Sequence, residues 1–346
     1  MTDLLLSSLG WTPHFASQVE PGKACTPARI TGVERSHILA LGATGPLRLL
    51  VPQGTGSTAV GDWVLHDGTT VTRRLAPRTE LVRRNAGDTS RRQLIASNVD
   101  TLGVVTSCNA DFNPARLERY LSVAAQAGCA PLVILTKADK ADPEPYLEQA
   151  RALSPLVVAL ALNAKHPEEV VERLTPWVSE GRTLALVGSS GVGKTTIQNA
   201  LTGVQAATQD IRADDAKGRH TTTARALRRT LAGGCLIDTP GIRELGLVDA
   251  AEGVGEVFSD LVDLASNCRF RDCSHDREPG CAIQAAIAAG TLDPDRLRRF
   301  QKLEREDRAH TEALHQRHAR DRTFGKATSQ GAARAKWKRR GPEAEE

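Results

Sequence analysis

The chain of 346 residues has no apolar run near the roughly 18 residues that a membrane span requires. Its first residues, MTDLLLSSLGWTPHF, have no basic start before the short apolar stretch, and Asp3 is acidic, so a secretory signal is not indicated. Seven cysteines are too few for a disulfide scaffold, which favours reduced thiols or a metal site. We therefore expect a cytoplasmic protein without a membrane partner.

Charge is distributed unevenly along the chain. Hydrophobic residues make up 40% and charged residues 25%, as in ordinary globular proteins. Residues 296–340 contain 15 Lys and Arg against 5 Asp and Glu, a net of +10, whereas the whole chain carries +4. A basic arm on an acidic body favours a polyanionic partner such as RNA, although the arm could instead be a solvated helix of alternating charge.

Three patterns follow one another along the sequence. Between Ile30 and Leu75, short β segments separated by Gly and Pro predict a small β-barrel. From about Val99, apolar strands alternate with helices, which predicts a mainly parallel, doubly wound α/β sheet. After Leu247 the pattern becomes helical and polar. We predict an N-terminal extension, a β-barrel, an α/β P-loop domain, a mainly α domain and a basic flexible tail, over residues 1–27, 28–80, 81–248, 249–320 and 321–346.

A phosphate-binding loop is predicted at residues 188–195, where GSSGVGKT matches the pattern GxxxxGK[ST] in full. The loop follows an apolar strand and precedes a helix, which is the context that the motif requires. Glycines let backbone N–H groups face phosphate oxygens, Lys194 reaches the outer phosphates, and the Thr195 hydroxyl binds Mg²⁺. The predicted contacts are Gly188, Ser189, Ser190, Gly191, Val192, Gly193, Lys194, Thr195 and Thr196.

Two further segments indicate the base. DTPG at 238–241 resembles the DxxG motif of GTPases, in which the Asp holds Mg²⁺ through water and the Gly N–H senses the γ-phosphate. TKAD at 136–139 resembles NKxD, whose Asp accepts two hydrogen bonds that guanine can donate and adenine cannot; here Thr136 replaces the bracing Asn. A third, weaker candidate is Asn163, in a possible base-edge loop. The predicted contacts are Thr136, Lys137, Ala138, Asp139, Asn163, Asp238 and Gly241.

The order of these motifs indicates a circular permutation. GTPases ordinarily place the phosphate loop first, whereas here the base reader at 136–139 precedes the loop at 188–195 and DTPG at 238–241. Every motif still follows a predicted strand, so all of them would lie at one rim of the sheet. The DTPG segment then leads directly into the polar helical region.

A metal site is predicted within that helical region. The pattern Cys-x₄-Cys-x-His-x₅-Cys supplies three thiolates and one imidazole, the set that Zn²⁺ favours in a closed tetrahedral site. Four ligands leave no open position for catalysis, and so polar a segment would need the metal for its folding energy. We therefore expect one structural zinc ion on Cys268, Cys273, His275 and Cys281.

The motifs TKAD, GSSGVGKT, GRHTTT (218–223) and DTPG, followed by the cysteine cluster, together resemble the circularly permuted GTPases of the ribosome small-subunit-dependent GTPase A family. The resemblance implies an N-terminal OB-fold, a permuted GTPase and a C-terminal zinc domain. It also implies a factor in late maturation of the small ribosomal subunit, which binds the subunit and its rRNA and hydrolyses GTP to GDP with Mg²⁺ and stimulation by the subunit. We expect the chain to be a monomer.

The family motifs also suggest a catalytic residue. Ile242 follows DTPG where many GTPases have a Gln that orients the attacking water, and an apolar side chain cannot replace it. His220, in GRHTTT, is the polar candidate for this role, although an exposed loop residue without a catalytic role is an equal alternative. One residue of 221–223, all threonines, should ligate Mg²⁺.

Two other functions fit parts of the pattern. A transport-type P-loop ATPase would share the phosphate loop, but the chain has no LSGGQ-like signature and no acidic residue directly after Asp238. A zinc-dependent RNA-binding protein would use the nucleotide as a structural switch without significant turnover. Base selectivity separates the GTPase from the first alternative, and turnover with small subunits separates it from the second.

Overall fold

The computed structural model of the chain describes residues 2–21, 25–52, 55–84, 92–204, 225–238 and 250–309. The predicted site residues His220 and Gly241, and the chain from residue 310 onward, lie outside the described residues. Among the helices that are described, none is long and apolar enough to cross a membrane.

Two short helices precede a five-stranded barrel. The helices are α1 (Thr2–Ser8) and α2 (Pro13–Ala16), and the strands are β1 (Thr26–Val33), β2 (His37–Gly42), β3 (Gly45–Leu50), β4 (Trp63–His66) and β5 (Val71–Arg74). β1 pairs with β2 and β4, β2 with β3, and β4 with β5, all antiparallel. A bridge from Leu50 to Thr70 brings β3 beside the start of β5. The strands enclose a separate apolar core of Ala28, Ile30, Ile38, Ala40, Leu49, Val64 and Val71.

An α/β unit follows a two-stranded hairpin, β6 (Glu80–Arg84) and β7 (Arg92–Ser97). Its strands are β8 (Thr101–Ser107), β9 (Ala130–Thr136), β10 (Val158–Ala161), β11 (Thr183–Gly188), β12 (Ala226–Arg229) and β13 (Cys235–Asp238). Its helices are α3 (Pro114–Gln126), α4 (Glu144–Arg151), α5 (Pro167–Val178) and α6 (Lys194–Thr202). The strand order is β10-β9-β8-β11-β13-β12, parallel except for β12, which also pairs with β1 of the barrel. The sheet is therefore mixed, with the predicted parallel majority.

Local sequence signals account for these elements. α3 begins where the sequence predicts, because the side chain of Asn113 accepts the N–H of Arg116 at 3.1 Å and Pro114 occupies the first turn. Central strand β8 is buried throughout, as expected for a parallel strand covered on both faces. Gly103 lies in this strand because a Cβ there would be 2.8 Å from the side chain of Leu186 on β11.

Arg29 of β1 joins three parts of the chain at a buried position. Its guanidinium donates to the backbone carbonyls of Leu9, Gly61 (3.3 Å) and Asn98 (2.8 Å). These carbonyls belong to the N-terminal segment, the barrel and the start of the α/β unit. Burial lowers the pKa of Arg29, but a guanidinium remains charged in a protein. The N-terminal extension is thus part of the junction between barrel and sheet.

The C-terminal helices pack directly on the α/β unit. They are α7 (Ala251–Val257), α8 (Ser259–Ser266), α9 (Ala282–Ala288) and a last described helix, α10, over 294–309. Gly253 lets α7 approach α3 at backbone distance, because a Cβ there would lie 2.2 Å from the carbonyl oxygen of Ser122. One continuous apolar core includes residues of the sheet, of α3 and of these helices. Apolar packing on the α/β unit therefore stabilises the C-terminal part, in addition to anything that a bound metal would contribute.

The position of Arg296 corrects the prediction that an RNA-binding or solvated arm begins there. Arg296 is only 9% exposed, and its guanidinium lies 3.2 Å from Glu118 of α3 and 2.6 Å from Asp260 of α8. Glu118 is fully buried and also accepts a hydrogen bond from Arg299 at 2.7 Å. The charge at this end of α10 therefore neutralises a buried carboxylate and does not face a partner. The buried apolar face of α10 consists of Leu297, Phe300 and Leu303.

We expect Arg296→Met to lower the free energy of unfolding by about 3 kcal/mol or more, because it leaves the buried Glu118 with one guanidinium partner instead of two. The matched control is Arg298→Met on the same helix, whose side chain is 71% exposed and should change the free energy by less than about 0.5 kcal/mol. Urea titration of both variants measures the difference. Equal stabilities would contradict a structural role for the buried pair.

Candidate functional site

The predicted nucleotide-binding motifs meet at one rim of the sheet. Thr136, Gly188 and Asp238 are the last residues of the parallel strands β9, β11 and β13, and a motif extends from each. The chain passes from β10 over β9 and β8 to reach β11, so the strand order reverses between β8 and β11. Ligands of doubly wound sheets bind at such a reversal. The phosphate loop follows β11 and therefore lies at the expected position.

Two glycines determine the path of the phosphate loop. Gly188 has a φ of 141°, and a Cβ there would lie 2.1 Å from the carbonyl oxygen of Val105 on β8. Gly193 has a φ of 95° and immediately precedes α6, which has no side-chain cap. Residues with a Cβ rarely adopt this left-handed conformation. The loop thus presents the backbone N–H groups at the start of α6 to an anion.

Two side chains of the loop point in different directions. Val192 is fully buried in the apolar core beneath the loop and fixes it to the sheet. Lys194 donates from Nζ to the carbonyl oxygens of Gly188 (2.8 Å) and Ser189, so its ammonium group lies over the loop. Unlike Val192, the remaining predicted contacts of the loop are partly or fully exposed at the rim. They are Ser189, Ser190, Gly191, Thr195 and Thr196.

Thr136 braces the phosphate loop although it replaces the usual Asn. Its side chain is buried, and Oγ1 lies 2.7 Å from the carbonyl oxygen of Val192 and 3.0 Å from that of Thr106. The hydroxyl donates its one proton to these carbonyls. A Cβ on Gly193 would lie 3.6 Å from the side chains of both Thr136 and Ala164. The base-reading loop, the base-edge loop and the phosphate loop are therefore in contact range of one another.

The base-reading loop turns sharply after β9. Lys137 has a φ of 59°, and its carbonyl accepts the N–H of Lys140 at 3.0 Å. This turn leaves the carboxylate of Asp139 exposed at the rim, with Ala138 partly buried beneath it. Asn163, in the next loop, accepts the N–H of Lys165 with its side-chain oxygen at 3.1 Å and so shapes that loop.

Asp238 lies beside the phosphate loop at the end of β13. Its Oδ1 accepts a hydrogen bond from Nε2 of Gln198 at 2.7 Å. Gln198 was not among the sequence predictions, but it lies four residues after Lys194 and therefore on the same face of α6. That spacing is the signal that could have identified it. The partners predicted to act with Asp238, namely Gly241, His220 and the threonines of 221–223, lie outside the described residues.

The four predicted metal ligands converge in the C-terminal part. The ligand atoms of Cys268, Cys273, His275 and Cys281 all lie within 4.8 Å of one another. His275 Nδ1 is 3.7 Å from Sγ of Cys268 and 3.6 Å from Sγ of Cys281, and these two sulfurs are 3.9 Å apart. A tetrahedral Zn²⁺ ion with ordinary bond lengths requires about 3.6 Å between N and S and about 3.8 Å between sulfurs. The three distances among Cys268, His275 and Cys281 therefore match those of a zinc site, and the thiol of Cys273 lies within 4.8 Å of the other ligand atoms.

The protonation of the thiols also favours a cation. Burial disfavours the Cys268 thiolate, but the backbone N–H groups of Ala282 and Ile283 outweigh it, so the pKa of Cys268 is lowered. Burial and the two neighbouring sulfurs raise the pKa of Cys273 to about 11. Sulfurs this close cannot all ionise without a positive charge between them, and a bound Zn²⁺ ion would supply that charge.

Glu278 organises the loop between the metal ligands, and sequence spacing gave no sign of it. Its carboxylate accepts the backbone N–H groups of Ser274 (2.9 Å), Asp276 (3.0 Å) and Arg277 (3.1 Å), as well as the Ser274 hydroxyl. These bonds lower the pKa of Glu278 to about 2. The carboxylate is therefore ionised at any pH at which zinc thiolates persist.

Comparison with known proteins decides the family. The model of the RsgA GTPase family matches residues 75–248. A small ribosomal subunit biogenesis GTPase RsgA from Mesorhizobium japonicum is 49% identical over 316 residues, which cover 88% of this chain and 91% of the relative. The relative named RsgA 2 from Vibrio vulnificus is 44% identical over 326 residues, 93% of each chain. The chain belongs to the RsgA GTPase family.

Solved structures share the fold of this RsgA GTPase. YjeQ from Thermotoga maritima has a TM-score of 0.59 at 20% identity and covers 81% of this chain and 97% of its own. YloQ, described as a circularly permuted GTPase, has a TM-score of 0.59 at 20% identity over 85% and 99%. The permuted architecture predicted from the motif order is therefore confirmed.

We expect Thr136→Val to weaken GDP binding roughly tenfold in this RsgA GTPase, because the buried carbonyl of Val192 loses its donor at unchanged side-chain volume. Thr136→Ser retains the hydroxyl and should remain within about threefold of the native affinity. A fluorescent GDP analogue gives both dissociation constants. If the two variants bind equally well, the hydroxyl does not brace the loop.

We expect Glu278→Gln to release zinc to a chelator about tenfold faster, because a neutral amide cannot replace a carboxylate that holds three backbone N–H groups. The control is Asp276→Asn, an exposed acidic residue of the same loop. Zinc release is followed with a coloured chelator at neutral pH. Identical rates for native protein and Glu278→Gln would show that the loop does not depend on this carboxylate.

Proposed function

We propose that this GTPase acts in late maturation of the small ribosomal subunit and that the subunit stimulates its hydrolysis of GTP. Relatives named for small-subunit biogenesis are matched over more than nine-tenths of their length, which supports the proposal. The observation that carries the GTP-binding part of the proposal is the proximity of three loops: Thr136 donates to the Val192 carbonyl, and a Cβ on Gly193 would lie 3.6 Å from the side chains of Thr136 and Ala164. A nucleotide bound there would lie across all three loops.

Each loop has a proposed role in that site. Asp139 accepts hydrogen bonds from N1–H and the exocyclic amine of guanine, and Lys194 contacts the outer phosphates. The Thr195 hydroxyl and Asp238 would hold Mg²⁺, and the Gln198 bond already fixes the orientation of Asp238. Gly241 would donate its N–H to the γ-phosphate. With Mg²⁺ bound, the charge that develops on the phosphoryl oxygens is neutralised.

Hydrolysis by the isolated protein should be slow. Ile242 cannot orient the attacking water, and we propose that His220 does so when the protein is bound to the small subunit. Binding energy from the ribosome would thereby assemble the catalytic site, as in other enzymes that close on a partner.

The remaining parts of the chain would contact ribosomal RNA. We assign the barrel as an OB-fold, supported by its five strands and by the neighbour order β1, β2, β3, β5, β4. One structural zinc ion per chain would hold the C-terminal loop. The exposed face of α10 would continue the basic arm with Arg298, Lys302, Arg305 and Arg308. Action in the cytoplasm as a monomer remains our prediction.

The base assignment is tested with Asp139→Asn. Its affinity for GTP should fall at least about tenfold, because the Asn N–H₂ would face the exocyclic amine of guanine, donor against donor. Its affinity for xanthosine triphosphate should rise, because xanthine has a carbonyl at that position, to which the amide can donate while its oxygen accepts N1–H. Asp142→Asn, an exposed acidic residue of the same loop, is the control. Equal affinity of the native protein for ATP and GTP would refute the base assignment.

The ribosomal role is tested by GTP turnover of the native and His220→Ala proteins with and without purified small subunits. We expect stimulation of the native protein by at least about a hundredfold, the lower end of the range for one positioned catalytic group, and loss of most of it in the variant. A native rate that subunits leave unchanged would contradict the proposed function. Such a result would favour an RNA-binding protein that does not depend on turnover.

A further inference from the structure

Phe270 exposes an aromatic ring in the loop that contains the four candidate metal ligands. This loop, residues 268–281, is called the cysteine loop below. Phe270 is 42% exposed, whereas the other Phe, Tyr and Trp side chains that the structure describes are buried or half-buried. Its neighbours Arg269 and Arg271 are exposed as well. The ring is therefore accessible to a partner, and a basic residue precedes and follows it.

The backbone beside Phe270 is held in place. The N–H of Arg269 donates to the carbonyl of Gly280 at 3.1 Å. Gly280 has a φ of 79°, and a Cβ there would lie 3.0 Å from Cβ of Arg269, so the two ends of the cysteine loop are in close contact. Sγ of Cys268 accepts the N–H of Ala282 at 3.4 Å. A ring presented by a fixed loop loses less conformational entropy when a partner binds.

An arginine side chain lies against the ring. The guanidinium carbon of Arg269 is 5.5 Å from the centre of the Phe270 ring, within the range of a cation–π contact. Phenyl rings and guanidinium planes both stack on nucleobases, and a guanidinium also binds phosphate. One short segment thus combines the two kinds of contact by which proteins bind single-stranded nucleic acid.

The helix α10 brings further basic side chains to the cysteine loop. Nε2 of Gln301 on α10 donates to the carbonyl oxygen of Ser274 at 3.3 Å. Arg298 and Arg305 lie three residues before and four residues after Gln301, and therefore on the same side of the helix. Both are exposed. Phosphates on either side of a base bound at Phe270 would have these cations nearby.

We propose that Phe270 is a stacking platform for an unpaired base of RNA, with Arg269 and Arg271 contacting the adjoining backbone. The charged neighbours of the ring do not suit an apolar peptide or a second copy of the chain, which would need a wider apolar surface. Exposed Asp272 and Asp276 in the same loop disfavour the close approach of a phosphate-covered duplex. This inference rests on the ribosomal role proposed above and specifies the RNA feature that the C-terminal part recognises.

The test uses the zinc-loaded full chain and a single-stranded RNA of about ten nucleotides, a length within the site sizes of such proteins. The RNA carries 2-aminopurine at its centre, a base whose fluorescence falls when it stacks. We expect the native protein to quench this fluorescence. Phe270→Leu should abolish the quenching and bind at least about fivefold more weakly, the effect of one lost base stack.

Two further variants serve as controls for the ring itself. Phe270→Tyr retains an aromatic ring and should stay within about twofold of the native affinity, because stacking depends on the π-face. Val262→Ala removes another exposed apolar side chain of the C-terminal part, which is 44% exposed on α8, and should not change the affinity.

Salt dependence separates stacking from charge. Phe270→Leu should leave the slope of log affinity against log salt concentration unchanged, because no phosphate contact is lost. Arg271→Ala should instead reduce the magnitude of that slope by about 0.7, the contribution of one phosphate contact on a single strand.

Several results would overturn the proposal. They are a native protein that does not quench the probe, a Phe270→Leu variant that binds and quenches like the native protein, and a Phe270→Tyr variant as impaired as Phe270→Leu. Loss of zinc from Phe270→Leu, measured by metal analysis, would also overturn it, since the ring would then serve only the fold of the loop. A native protein that stacks the probe but is not stimulated by small subunits would refute the ribosomal role and leave the platform intact.

Discussion

Parallel strands of one sheet end at the same edge, and the candidate nucleotide site of this GTPase depends on that constraint. The base-reading loop follows β9 and the phosphate loop follows β11, so they meet at the rim in whichever order the chain supplies them. The Thr136 hydroxyl reaches the Val192 carbonyl across 56 residues of sequence. Circular permutation therefore alters the connections and leaves the motif loops side by side at the rim.

Short sequence patterns were sufficient to predict the features that depend on residues close together in the sequence. The glycines at 188 and 193 and the Asn113 cap belong to short motifs with one physical solution, and each has the expected geometry in the structure. The four candidate metal ligands lie within 14 residues, so their convergence needs little tertiary information. The five β segments of the barrel were visible for the same reason, since turns separate them at close intervals.

Contacts between distant parts of the sequence could not be predicted in this way. Arg296 and Glu118 are 178 residues apart, and nothing near Arg296 marks it as the buried member of a basic stretch. From the sequence, Thr136 only lacks the amide of the usual Asn. That its hydroxyl braces the phosphate loop could not be predicted, because the acceptor is a backbone carbonyl of a loop distant in sequence. From the sequence alone, Gly253 only weakens a helix. Its role, the close approach of α7 to α3, requires the position of α3 to be known. These three positions connect the C-terminal helices and the loops to the sheet.

The junction formed by Arg29 has a consequence for measurements in salt. Its hydrogen-bond acceptors are three main-chain carbonyls, so the hydrogen bonds of Arg29 are not ion pairs that mobile ions could screen. Contacts between basic side chains and RNA phosphates weaken steeply as ionic strength rises. The barrel and the GTPase unit should therefore keep their mutual orientation over the range of salt concentrations in which an RNA partner dissociates. The slope of log affinity against log salt concentration would then report the number of phosphates that the protein contacts, without a contribution from a change in the shape of the protein.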